Sequence, residues 1–242
     1  MLENTISSLK ELNSKEFILY HHLGLGDSIV CNGMVNYLTQ KNKMFIHLPS
    51  NTKNFSSLEF LYSGNPNVKV FEIDNKFEMN NVLSYSKQKS LQILKVGFEN
   101  RTKGAFNVNF YKQLKLPYKI SFKYFHLPEI QSKYIEDLES HLKNYYGVSS
   151  KNYNLVHTQS SEIDFKIVIN NDFSSIYVEK NTDIFKNIFY YVNLIKDATE
   201  IHCVNSSFIH LVERIDTKSK LFYHDNRKGI LKLKKNWKKI TY

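Results

Sequence analysis

Residues 17–38 read FILYHHLGLGDSIVCNGMVNYL, and this stretch decides the fold. Phe17, Ile18, Leu19 and Tyr20 form a short apolar run bounded by polar residues, the pattern of a core strand. Gly24 and Gly26 then give a backbone that turns sharply and lets a ligand approach closely. Beyond Asp27, the apolar residues Ile29, Val30, Met34, Val35 and Leu38 recur at helical spacing. The stretch is a strand, a glycine turn and a helix, with Asp27 near the helix start and beside the carboxyl end of the strand. Open α/β sheets bind their ligands at that edge. Asp27 also has a plain structural explanation, because Asp is a preferred N-cap. The dinucleotide fingerprint Gly-x-Gly-x-x-Gly is not met, since Ile29 occupies the third glycine position.

Outward from this stretch, strands alternate with helical segments. The pattern predicts a helical lead-in over 1–16, strands over 44–48 (ending at Pro49), 68–73 and 91–96, and helices over 55–62, 80–87 and 108–114. Such alternation indicates a parallel sheet with helices on its faces. Residues 127–147, LPEIQSKYIEDLESHLKNYYG, give the clearest helix, with Pro128 in the first turn, Glu129 at the positive end and Gly147 as the stop. A second α/β series opens at 152–157. It is expected to hold strands over 165–169, 175–178, 200–204 and 221–223. Its helices are expected over 183–196, with Thr182 as cap, and over 206–214. The chain thus divides into a first half, 1–126, a second half, 127–228, and a basic tail, 229–242.

The second half repeats the logic of the first. In EIHCVNSSFIHLVERI (200–215) an apolar strand reaches Val204, and Asn205, Ser206 and Ser207 stand at the start of the next helix. A helix start presents unpaired N–H groups and a partial positive charge, which suit a phosphate. Ser206 and Ser207 offer hydroxyls, and His210 lies one turn further on. The alternative is that Asn205 and Ser206 merely cap the helix. In LVHTQSSEIDF (155–165) another strand ends at His157, and Thr158, Ser160, Ser161 and Glu162 follow in a polar loop on the same edge.

The composition narrows the function. The 242 residues are 42% hydrophobic, with 17 Phe and 16 Tyr, enough for a sizeable core. No apolar run approaches the roughly 20 residues of a membrane span. The opening MLENTISSLKELNSKE lacks the apolar core of a signal peptide, so a cytoplasmic protein is expected. Cys31 and Cys203 sit on buried elements and read as reduced core thiols. The net charge of +10 favours anionic partners. Only Arg101, Arg214 and Arg227 are arginines among 33 basic residues, and no basic and aromatic recognition motif is interleaved, so nucleic acid is not expected as a partner. Arg101 and Lys103, on a loop after the 91–96 strand, are candidates to meet an acidic acceptor, or simply solvated charges.

HLGLGDSIVCNGMVNYL followed much later by AxxIHCVNSSFIHLVERI resembles the bacterial glycosyltransferases of the heptosyltransferase type, which have the GT-B fold. The resemblance covers both halves through two short motifs in the right order. The fold it implies is α/β, two Rossmann-like halves with parallel sheets facing a cleft, in a compact version. In that family an Asp after the first glycine loop acts as catalytic base, a position that matches Asp27. The late family motif Asp-Ser-Gly-x-x-His, which holds the donor's phosphates, matches Asn205, Ser206, Ser207 and His210, with Asn in place of Asp and Ser in place of Gly. Asn32 and Gly33 stand where the family has Thr and Pro.

The resemblance implies that Asp27 takes a proton from an acceptor hydroxyl as it attacks the anomeric carbon of a nucleotide-sugar. Gly24, Gly26, His157, Ser160, Asn205, Ser206, Ser207 and His210 are the expected donor and phosphate contacts. No cofactor beyond the nucleotide-sugar is expected, and no metal, because no Asp-x-Asp motif occurs; Glu72-Ile73-Asp74 and Glu162-Ile163-Asp164 read as structural. The expected acceptor is a glycan or lipid-linked sugar. A second reading is a non-catalytic nucleotide-sugar or glycan-binding relative. The tail, with Trp237 and its lysines, is expected to cross back to the first half as a helix, or else to touch an anionic membrane at its inner face.

Overall fold

The computed structural model describes residues 4–98, 104–160, 163–169, 172–225 and 230–242. Arg101, Lys103, Ser161, Glu162 and Arg227, singled out above, lie outside the described residues. The chain forms two compact units: residues 1–128 with 230–232, and residues 129–229 with 233–242.

The first unit holds β1 (Thr5–Ile6), β2 (Glu16–Tyr20), α1 (Leu25–Asn42), β3 (Phe45–Asn51), α2 (Phe55–Tyr62), β4 (Val68–Ile73), α3 (Glu78–Lys89), β5 (Gln92–Lys95), α4 (Phe106–Gln113) and α5 (Ile120–Lys123). Its strands form one parallel sheet in the order β1-β5-β2-β3-β4. β2 is central, which is why Phe17, Ile18 and Leu19 are fully buried. Burial of each contributes about 1.5–3 kcal/mol by transfer from water.

Two expectations are corrected here. The lead-in over 1–16 is not a helix: Thr5–Ile6 pairs with Ile93 and Leu94 as an edge strand, followed by one 3-10 turn at Leu9–Glu11. β3 also does not end at Pro49 but runs to Asn51. Amides alternate along a strand: Phe45 N–H donates toward β2, to Lys15, and Ile46 N–H toward β4, to Asn67. Pro49 therefore lacks a donor only on the β2 side. Pairing with β2 stops at His47, whereas pairing with β4 continues to Asn51.

Gly33, in the middle of α1, has a packing reason. A Cβ there would stand 2.5 Å from the Ile120 carbonyl oxygen and 2.8 Å from Ser121, so the glycine lets α5 lie against α1. Around it, Ser121 Oγ and Tyr111 Oη both donate to the Val30 carbonyl, at 3.0 and 2.7 Å. Asn32 accepts from the His126 amide at 2.9 Å. The Asn32-Gly33 pair thus seats the segment that follows α4.

The second unit holds α6 (Ser132–Tyr145), β6 (Tyr153–His157), β7 (Ser174–Tyr177), α7 (Val192–Asp197), β8 (Glu200–Val204), α8 (Ser207–Val212), β9 (Lys220–Asp225) and β10 (Trp237–Thr241). The parallel order is β10-β9-β8-β6-β7. Four expectations fail in this unit. The helix read over 127–147 starts only at Ser132, with Gln131 as its N-cap, so Pro128 and Glu129 precede it. Residues 165–169 are not a strand; only Asp164 makes a bridge, to Gln159. The 183–196 helix shrinks to a 3-10 turn, Ile188–Tyr191, and α7. Asp183 and Asn187 accept from the Phe185 and Phe189 amides, and Lys186 adopts φ 51°, so short polar side chains hold the segment in turns. Thr182 caps nothing there; its hydroxyl donates to the Glu179 carbonyl.

The tail also differs: Trp237–Thr241 is not a helix but the edge strand β10 of the second sheet. Residues 230–232 do join the first unit, in extended form, where Lys232 exchanges hydrogen bonds with the Asn107 amide. Beyond them the buried carboxylate of Glu213 anchors the chain, accepting from Lys234 N, Lys235 N and Trp237 Nε1 at 2.7, 3.1 and 2.6 Å. The Lys235 ammonium donates to the Val212 and Ile215 carbonyls at the end of α8. The Lys235 ammonium and the Trp237 indole are therefore occupied within the fold.

Candidate functional site

The sequence-derived site residues fall into two sets, one at the carboxyl edge of each sheet. In the first unit β2 ends at Tyr20, and a short turn leads into α1. Side chains from neighbouring loops hold this turn. The Leu23 carbonyl accepts from Asn54 Nδ2 at 2.7 Å and Asn51 Nδ2 at 3.2 Å. His22 Nε2 lies 3.1 Å from the Gly97 carbonyl, and its ring packs on Phe98 with centroids 4.3 Å apart. His21 is buried, and burial lowers its pKa to about 4, so the ring is neutral.

Gly24, not Asp27, is the N-cap of α1. Its φ of −67° is open to any residue, so conformation does not demand glycine. What a side chain there would meet is the carboxylate: a Cβ on Gly24 would stand 2.9 Å from Asp27 Oδ2 and push it aside. Asp27 is the third residue of the helix, half-buried, with its carboxylate folded back over the cap. There it lies in the positive field at the start of an 18-residue helix. Gly26 sits in the same turn.

In the second unit β6 and β8 are neighbours, with His157 opposite Cys203, so His157 and Asn205 leave the sheet at the same edge. His157 packs against Phe208 of α8 with centroids 5.2 Å apart. Its Nδ1 accepts from the Gln159 amide at 3.1 Å, which leaves the ring proton on Nε2. Burial lowers the pKa of His157 to about 4 and that of His210 to about 3, the latter with help from the Arg214 charge; both rings are neutral at pH 7.

Ser206 is the N-cap residue of α8, but its side chain makes no capping bond, and its buried Oγ has no hydrogen-bond partner. A buried hydroxyl in that condition is costly unless something else satisfies it. Ser160 is different. Its Oγ donates to the Ile163 carbonyl and accepts from the Ile163 amide, both at 3.1 Å, so it closes its own loop. The structure therefore places His157, Asn205, Ser206 and Ser207 at one edge of the second sheet, with His210 buried further along α8 and Ser160 engaged in a turn.

Sequence reasoning missed His21, His22, Asn51 and Asn54. Asn51 was masked by the strand end assigned to Pro49; extending β3 to the same edge as Gly24 would have exposed it. An open cavity of about 570 Å³ lined by Asp216, Lys220, Phe222, Lys235 and Lys238 lies at the amino ends of β9 and β10, the opposite edge of the second sheet from His157 and Asn205. Among the described residues no group of His, Cys, Asp or Glu is arranged to hold a metal ion. No helix of the described residues is long and apolar enough to cross a membrane.

The fold defines a class: two α/β units, each built on a parallel five-stranded sheet. That class includes a glycosyl transferase family 9 protein from Veillonella parvula, whose crystal structure is similar to this chain with a TM-score of 0.59 and 12% sequence identity, over 96% of this chain and 88% of that one. The fold is shared at an identity too low to carry more than the fold. No protein-family model matches the chain, and no curated protein matches it.

Proposed function

We propose that this protein is a glycosyltransferase moving a sugar from a nucleotide-sugar to an acceptor hydroxyl. The observation that carries the reading is the buried, unpartnered Ser206 hydroxyl at the start of α8, next to His157 on the same sheet edge. The fold shared with a glycosyl transferase supports it. In this reading the donor's diphosphate lies against Asn205, Ser206 and Ser207. The Ser206 hydroxyl and the first amides of α8 donate to the phosphate oxygens. His157 and His210 are neutral, so they serve as N–H donors and not as countercharges. Ser160 acts by shaping the loop beside them.

Asp27 is the base. It removes the acceptor proton as the acceptor oxygen attacks the anomeric carbon. The bond from that carbon to the diphosphate oxygen breaks, and its electron pair leaves with the nucleoside diphosphate. Gly24, Asn51 and Asn54 position the carboxylate through the turn. No metal or further cofactor has a role in this scheme, and the acceptor is a glycan or lipid-linked sugar. A second reading, a non-catalytic binder of the same nucleotides, is favoured by Asn205 and Ser207, which depart from the family motif.

The test has two arms. A melting-temperature screen against nucleoside diphosphates and their sugars finds the donor, because a ligand specific to the folded state raises Tm. Asp27→Asn is then assayed for transfer and for donor binding separately. The expected result is unchanged binding with transfer reduced by roughly 10²–10⁴, the usual worth of a general base. Undiminished transfer removes Asp27 as the base; binding without transfer in the parent protein leaves the binder reading.

A further inference from the structure

The second sheet contains a polar chain, buried at its histidines and exposed at Tyr242 and Val168, that the transfer scheme does not use. His202 on β8 and His224 on β9 are 3% and 0% exposed, and His202 Nδ1 lies 3.0 Å from His224 Nε2. His224 Nδ1 lies 2.7 Å from the Tyr242 hydroxyl, just beyond β10. That hydroxyl accepts from the Val168 amide at 3.1 Å. Val168 belongs to the connection between β6 and β7, yet β10 lies at the opposite edge of the sheet from β7. The bond therefore ties residues 163–169 to the far side of the unit, where they form no strand of their own.

The proton order follows from chemistry. With Val168 N–H donating to Tyr242 Oη, the phenol proton goes to His224 Nδ1. His224 then carries its own proton on Nε2 and donates to His202 Nδ1. The His202 proton is left on Nε2, facing Glu200 Oε2 at 3.6 Å. This order holds only while both rings are neutral, and it leaves the buried His202 Nε2 without a hydrogen-bond partner. One added proton on His202 reverses the chain and turns the phenol from donor to acceptor. A second leaves two N–H groups opposed across 3.0 Å.

We propose that Tyr242, His224 and His202 form a proton-controlled latch that holds residues 163–169 against the β9–β10 side of the sheet and releases them on acidification. The surrounding charges are few. Glu200 on β8 faces His202 and is itself paired with Lys220 of β9 at 3.4 Å. Lys239 of β10 pairs with Asp225 of β9 beside His224. Lys238 lies over the Phe222 ring that stacks flat on His202. Burial lowers the pKa of both histidines, in the case of His224 to about 4 with help from the His202 charge, while Glu200 acts in the opposite direction on His202. Protons therefore bind more readily when the latch is open. The inference does not depend on the transfer reading.

Amide hydrogen exchange on the ¹⁵N-labelled full chain tests it, corrected for the intrinsic effect of pH. Tyr242→Phe removes one oxygen and avoids emptying a buried histidine site. In the parent protein Val168 is expected to lose at least roughly tenfold of its protection from pH 7 to pH 5 while staying far less protected than the β8 and β9 amides, whose exchange follows global stability. In Tyr242→Phe the Val168 amide is expected to exchange fast at both pH values. Equal protection of Val168 at the two pH values, full protection in Tyr242→Phe, or Val168 protection as high as that of β8 and β9 would each overturn the latch.

Discussion

Gly24 and Glu213 are explained by the atoms they face. Gly24 exists to make room for the Asp27 carboxylate, 2.9 Å from where its Cβ would be. Gly24→Ala is expected to change the urea midpoint little, since glycine and alanine differ by about 1 kcal/mol or less at an N-cap, while displacing the carboxylate and lowering transfer at least tenfold. Parallel denaturation and transfer assays check the split. Glu213 is buried and accepts three N–H donors from the chain entering β10. Glu213→Gln turns part of that acceptor into donors. A loss of about 1–3 kcal/mol in urea unfolding is expected, the cost of unsatisfied buried polar groups. Asp27 itself was legible from its place after a glycine turn. Glu213 was not, because its donors lie more than 20 positions away and nothing local marks a carboxylate that they require.

At the scale of elements, the helices and strands that the sequence shows best are those whose own pattern suffices. β2, α1, α2 and β4 carry their periodicity and stops within a few residues. The segment 183–196 misled because its apolar spacing is helical, while Asp183, Asn187 and Lys186 fix turns through local hydrogen bonds and a left-handed backbone. β1 and β10 are edge strands that exist through one neighbour each, β5 and β9, which no local pattern reports. Helix packing gives a matching prediction. Gly33→Ala should help α1 by its propensity, about 1 kcal/mol, yet its Cβ would collide with the Ile120 carbonyl at 2.5 Å. The collision outweighs the gain, because backbone cannot swing aside as a side chain can; a net loss of about 1–3 kcal/mol in urea unfolding is expected.

At the scale of the whole molecule, buried neutral histidines set the response to acid. His21, His157, His210 and His224 have pKa values lowered to about 4, 4, 3 and 4, and that of His202 is lowered too, all chiefly by burial. Below the ordinary value of 6.5 the unfolded chain binds protons that the folded chain refuses. Their contribution to stability is whole above pH 6.5 and is lost as pH falls toward 4. The urea midpoint is expected to be level from pH 7 to 8 and to drop steeply between pH 6.5 and 4.5. A midpoint unchanged at pH 5 would contradict the buried neutral rings.

By itself the sequence determined the alternation of strand and helix, the two α/β series, the glycine turn with its carboxylate and the polar start of α8. Each of these is written in a local period or in a residue type whose preference acts over a few positions. Only the tertiary structure decided that the tail closes a sheet as β10, that Asn51 and Asn54 clamp the turn before Asp27, and that Ser206 keeps an unmatched hydroxyl while Ser160 spends its own. Those outcomes depend on which distant groups meet, and hydrogen bonds and close contacts between residues far apart in the chain leave no periodic trace along it.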